Sequence, residues 1–127
     1  MEIRKLTIIV EPKQEFRERI KGYARKIDKG KRGLIAGESI SFPSIDVLKQ
    51  FLTPKRIQLL RIIRNQKPKS LYELAKLSGR KQESVFYDIK LLENSGFIEI
   101  EKIKDVRIKT IPKIGYDEVD VRIPIKA

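Results

Sequence analysis

The sequence predicts an α+β fold: short helices closed by a β-hairpin, with an N-terminal strand-helix extension and a C-terminal strand. Three observations carry this. Thr53-Pro54, and then Ser70 with Glu73, mark successive helix starts, because hydroxyl and carboxylate side chains satisfy the orphan backbone donors there. Ser78-Gly79 breaks the helical period before it resumes with Val85, Ile89 and Leu92 at i, i+4 and i+7. After Gly96, the stretch FIEIEKIKDVRIKTIP carries β-branched runs on both sides of Lys104-Asp105, as a hairpin does. The predicted divisions are residues 1–43 for an α/β extension, 44–112 for the helical module with its hairpin, and 113–127 for a terminal strand packing on the module or on a dimer partner.

In chain order, LTIIV within Ile3 to Val10 reads as a strand stopped by Pro12. Phe16, Ile20, Tyr23, Ala24 and Ile27 recur at helical spacing, predicting a basic amphipathic helix from Gln14 to about Lys29 that serves the core first and an interface second. KGKRGLIAGES has neither a GxGxxG nor a Walker spacing, so it reads as a loop in which Lys29, Lys31 and Arg32 touch phosphates or solvent. Ser44 opens a short helix. Thr53 and Pro54 open a longer one with Ile57, Leu59, Leu60 and Ile63 as its packing face and Arg56, Arg61 and Arg64 outside. Lys67-Pro68-Lys69 forms the break before Ser70. Leu71, Leu74, Ala75 and Leu77 stripe the next helix, and Gly96 ends the one after it. In the hairpin, Ile98 and Ile100 are expected to alternate against Val106 and Ile108. Val119, Val121, Ile123 and Ile125 predict one buried face on a terminal strand, placed at a sheet edge by Pro124 and paired with the strand around Thr7.

Composition narrows the chemistry. The 127 residues hold no cysteine and no histidine, which excludes disulfides, thiol nucleophiles and imidazole bases, and no enzyme is expected. No cofactor and no metal site is predicted: Asp117, Glu118 and Asp120 are the only acidic cluster to consider, alternation puts Glu118 and Asp120 on one face of a strand with no other ligand type near in sequence, and a polar outer face accounts for them. No apolar run suits a membrane span, and the segment MEIRKLTIIVEP is too short and charged for a signal peptide, so a cytoplasmic protein is expected. Lys+Arg total 29 against 17 Asp+Glu, a formal +12 and a pI near 10. The surplus lies in residues 1–112, and a polyanion is the economical partner. The Lys, Glu and Ile content also fits a thermophile.

SLYELAKLSGR together with SVFYDIKLLENSGFI resembles MarR-like winged helix-turn-helix regulators, and most nearly a group of small archaeal DNA-binding proteins within them, over about Phe51 to Pro112. The resemblance implies sequence-specific binding of double-stranded DNA and transcriptional regulation. On that basis Arg80, Lys81, Gln82, Ser84 and Tyr87 are expected in a major groove, with Lys102, Lys104, Arg107 and Lys109 of the hairpin, and Lys69 and Ser70, on the backbone. Asp88 caps or pairs within the fold. A homodimer is expected because one recognition helix reads few base pairs. The rival readings are an antitoxin or adaptor whose module contacts a protein partner, and an RNA-binding module.

Overall fold

The run KLTIIV is apolar at neighbouring positions, the pattern of a strand covered on both faces. In the computed structural model, which describes residues 3–11, 39–104 and 106–126, it forms β1 (Lys5–Val10). Leu6, Ile8, Ile9 and Val10 are all buried, and alternation puts Ile8 and Ile9 on opposite faces. The amphipathic helix expected from Gln14, and the loop holding Lys29, Lys31 and Arg32, lie outside the described residues. Tertiary contacts divide the chain into two units, Met1–Gln50 with Tyr116–Ala127, and Phe51–Gly115.

The first unit is a three-stranded sheet in the order β2-β1-β5, with β2 (Ser39–Phe42) and β5 (Glu118–Arg122) both parallel to β1. Parallel neighbours need a long crossover, and here the crossover from β1 to β5 contains the whole second unit. Thr7 stands opposite Asp120, so the two terminal strands do pair. Lys5 lies between Glu118 and Asp120, at 3.4 and 3.7 Å, while Asp117 accepts a hydrogen bond from the Arg4 amide at 2.9 Å. Burial pushes the phenol of Tyr116 up, well above its ordinary pKa. After β2, Ser44 accepts from the Val47 amide at 3.2 Å and opens α1 (Ile45–Phe51).

The C-terminal strand joins the N-terminal sheet beside β1, and the second unit begins at Phe51, the last residue of α1. One expectation is corrected here: Val119 through Ile125 do not make one buried face. The strand ends at Arg122, two residues before Pro124, and Ile125 is 91% exposed.

In the second unit, α2 (Pro54–Gln66) starts at Thr53, whose hydroxyl accepts from the Arg56 amide at 3.3 Å, with Pro54 at the first helical position, where no donor is lost. It buries Leu59, Leu60, Ile62 and Ile63. Ser70 caps α3 (Leu71–Ser78) by accepting from the Glu73 amide at 3.1 Å, and α4 (Gln82–Ser95) follows after a three-residue turn. Leu74 and Ala75 of α3, Val85, Ile89 and Leu92 of α4, and then Phe97 and Ile98 complete the core. Each of these side chains except that of Ala75 contributes about 1.5–3 kcal/mol by leaving water. Leu77, expected in the stripe, is instead 41% exposed because α3 turns its inner face through Leu74 and Ala75.

Both short helices end in the same closure. At Gly79 (φ 69°) its own amide reaches Lys76 O and the Arg80 amide reaches Ala75 O; at Gly96 (φ 92°) the amides of Gly96 and Phe97 reach Glu93 O and Leu92 O. A Cβ built on Gly79 meets nothing within 4 Å, so only the backbone conformation resists a side chain. Gly79→Ala is therefore expected to cost about 1 kcal/mol, a fall in Tm of about 4–8 °C. Thermal unfolding checks this, and a loss above about 3 kcal/mol would mean that the backbone account is incomplete.

The hairpin pairs β3 (Glu99–Lys104) with β4 (Ile108–Lys113), in a register that sets Ile100 opposite Pro112 and Lys104 opposite Ile108. β4 packs on α2 and α3. Val106 and Ile108 were expected to pack against Ile98 and Ile100. They are 95% and 65% exposed, because Ile108 stands in the last pair of the ribbon and Val106 lies in the loop beyond it. Among the described residues the chain is thus an α+β structure with four helices and five strands. No helix of the described residues is long and apolar enough to cross a membrane.

Candidate nucleic-acid interface

Helix α4 is held by a charge buried on its apolar stripe. Asp88 lies between Val85, Ile89 and Leu92, with its side chain 8% exposed. A carboxylate there requires counter-charge. Arg56, in the first turn of α2, supplies Nε to Oδ1 at 3.0 Å and also donates from Nη1 to the Phe51 carbonyl at 3.2 Å. Arg80, in the turn before α4, supplies Nη2 to Oδ2 at 2.8 Å. The two guanidinium side chains are 12% and 19% exposed, and together with Asp88 they tie α2, the α3–α4 turn and the middle of α4 into one cluster.

This changes the standing of two arginines. Arg56, expected outside, is inside the fold. Arg80, expected to reach a base edge, is committed to Asp88, and its Nη1 is buried with no hydrogen-bond partner. It braces the turn rather than extending from it. Charge at the α4 N-terminus passes to Lys81, which sits at the N-cap position with φ −64° and ψ 140° and makes no capping hydrogen bond. Lysine is a poor choice there: Ser, Thr, Asp or Asn would cap the helix, and a cation opposes the positive end of the helix dipole.

Beyond Lys81, the side chains of Gln82, Ser84 and Tyr87 are exposed, Tyr87 to 64%. Neither Lys81 nor Tyr87 is packed inside. Glu83, which sequence reasoning passed over, shares the exposed start of α4, where its charge suits the helix dipole. Phe86 is half-buried and makes a T-shaped contact with Tyr72, ring centroids 5.5 Å apart, so α3 and α4 are also joined by an aromatic contact. Lys69 is exposed, while the Ser70 hydroxyl already serves its cap.

On the hairpin, Lys102, Lys104, Arg107 and Lys109 are all exposed, and Glu101 is ion-paired with Lys113 nearer the base. The register places Lys102 and Lys104 on one face of the ribbon and Lys109 on the other, with Arg107 in the loop. The acidic trio is occupied differently: Glu118 and Asp120 flank Lys5 and Asp117 holds the Arg4 amide. No group of three or more metal-ligating side chains converges among the described residues.

No curated protein and no solved structure matches the chain. The family model HVO_A0114 matches residues 51–121, more than half of the chain, covering the helices α2 to α4, the hairpin and most of β5. The chain belongs to the archaeal HVO_A0114 family.

Proposed function

We propose that residues 51–115 are a winged helix-turn-helix of MarR-like type and that the protein is a sequence-specific double-stranded DNA-binding transcriptional regulator. Helix α4 enters the major groove, where Lys81, Gln82, Ser84 and Tyr87 meet base edges from the N-terminal half of the helix. The hairpin is the wing: Lys102, Lys104, Arg107 and Lys109 neutralise phosphates, with Lys69 and Ser70 on the adjacent backbone. Arg80 acts by bracing the turn through Asp88. A twofold pair of chains on a palindromic site doubles the readout of one α4 helix.

The observation that carries this reading is the exposed, uncapped Lys81 at the head of a helix whose opposite side is locked by a buried ion cluster. The formal charge of +12 supports a polyanionic partner. Selection of bound duplexes from a random-sequence library tests it. An enriched motif with an inverted repeat is the expected result. Failure to enrich any duplex, with tighter capture of hairpin RNA or of a protein over the face of α4, overturns the reading.

A further inference from the structure

Among the described residues the order β2-β1-β5 makes β5 an edge of its sheet. Paired strand residues share a face, so Val119 and Val121 lie on the face of Leu6 and Ile8. Leu6 and Ile8 are buried, yet Val121 and the following Ile123 are 49% and 44% exposed, so the apolar face runs out to the edge. The other face of β5 carries Glu118, Asp120 and Arg122, all exposed. Glu118 and Asp120 flank Lys5, whereas Arg122 enters no ion pair among the described residues. Where the strand begins, the Arg4 carbonyl accepts from the Asp117 amide at 2.7 Å and from the Glu118 amide at 3.3 Å. Strand amides alternate in direction, so those of Glu118, Asp120 and Arg122 point to β1 and those of Val119 and Val121 to the open edge. Carried on, the alternation keeps the missing N–H of Pro124 off that edge.

An edge with a free row of donors and acceptors pairs with another strand unless its side chains forbid it. Here the side chains match a second copy of β5. Antiparallel pairing about a twofold axis at Val121 sets Val121 opposite itself, Asp120 opposite Arg122 twice over, and Val119 opposite Ile123 just past the end of each strand. The ionic pairs are then of opposite sign, and apolar residues meet apolar residues on one continuous face. An axis at Asp120 sets that carboxylate against its own copy, and one at Arg122 does the same for the guanidinium. An axis between two residues crosses the apolar face with the charged one. The opposite edge, β2, has only four residues and no ionic side chain to set a register. We infer that the chain forms a homodimer through β5, in which two three-stranded sheets join into one in the order β2-β1-β5-β5-β1-β2. One strand pair buries less than the roughly 1,200 Å² of a usual stable interface, so the dimer is expected to dissociate with a Kd on the order of 1–10 μM. It supplies an interface for the twofold pair of the DNA-binding reading but concerns the free protein, so the two are tested by different measurements.

Sedimentation equilibrium of the full chain without DNA, between about 1 and 200 μM, is expected to show a monomer–dimer equilibrium. Asp120→Arg places like charges at both ionic pairs, and so does Arg122→Asp; each is expected to raise the Kd by about ten- to a hundredfold. Mixed in equal amounts, the two variants restore opposite charges at both pairs, and a heterodimer is expected with a Kd within about threefold of the wild type. Recovery in the mixture shows that each variant is folded. The chain has no cysteine, so Val121→Cys adds one thiol per copy. Its opposed Cα atoms would lie about 5.5 Å apart, within disulfide reach, whereas the two copies of position 123 would lie about 14 Å apart. Mild oxidation is therefore expected to cross-link Val121→Cys and not Ile123→Cys. A wild type that stays monomeric, charge variants that dimerise as the wild type does, a mixture that stays monomeric, or cross-linking of Ile123→Cys as readily as Val121→Cys each overturns the inference. None of these results bears on duplex selection, whose failure with the dimer intact overturns only the DNA-binding reading.

Discussion

Asp88→Ala is expected to destabilise the helical unit by about 3–5 kcal/mol, because it leaves two guanidinium groups facing each other in a site that excludes most water. The side chains of Arg56 and Arg80 are 12% and 19% exposed, so solvent screens little of that repulsion. Set against a usual folding free energy of about 5–15 kcal/mol, a loss of this size removes much of the margin of the unit. Denaturant unfolding of the full chain, followed by amide exchange in α4, measures it. Asp88→Asn keeps an acceptor for one arginine and should fall between. Arg80→Ala should cost less than Asp88→Ala: it removes one ion pair together with the buried, unpartnered Nη1, and leaves Arg56 on Asp88. Equal losses for Arg80→Ala and Asp88→Ala would show that the Arg80 contact alone carries the cluster. An unchanged midpoint for Asp88→Ala would show that the cluster behaves as a solvated surface pair.

Features set by a few neighbouring residues were legible in the sequence. Ser44, Thr53 and Ser70 open helices through contacts three residues ahead, and Gly79 and Gly96 close helices through backbone bonds spanning no more than five residues, so local reading located all five. The partners of Asp88 were not located, since Arg56 lies 32 residues away in sequence. A signal was nevertheless present: an acid at position 88 sits on the stripe of Val85, Ile89 and Leu92, and a charge on an apolar stripe calls for a buried counter-charge. Pairing of the terminal strands was legible as a pattern, although the two strands lie more than a hundred residues apart in sequence. Alternation also misplaced Val106 and Ile108. Period two assigns faces along a ribbon but does not say how far along it the core extends.

On the proposed DNA-binding reading, in which the hairpin is the wing, removing the hairpin cations and removing the helix cation should have different signatures. Lys104→Ala with Arg107→Ala and Lys109→Ala is expected to weaken binding to every duplex alike and to flatten the slope of log affinity against log salt by about 0.9 per lost phosphate contact, up to about 2.7 for the three. At low salt that is a loss of about two to three orders of magnitude, since each released counterion gains most entropy there. Lys81→Ala is expected to cost about 1–3 kcal/mol on the preferred duplex and far less on random DNA, with the salt slope changed by no more than about one unit. Salt titration of both variants on a selected and a scrambled duplex reads all four quantities. If the wing variant loses discrimination instead of general affinity, the two elements have exchanged roles and the wing reads sequence. If Lys81→Ala lowers affinity for both duplexes equally, the residue holds a phosphate and base readout falls to Gln82, Ser84 and Tyr87. Arg80→Ala separates direct from indirect effects on α4. If Arg80 acts by bracing the turn through Asp88, its loss should reduce discrimination only in proportion to the loosening of α4 seen by amide exchange, and should be matched by Arg56→Ala, a change on a different helix that meets α4 through the same carboxylate.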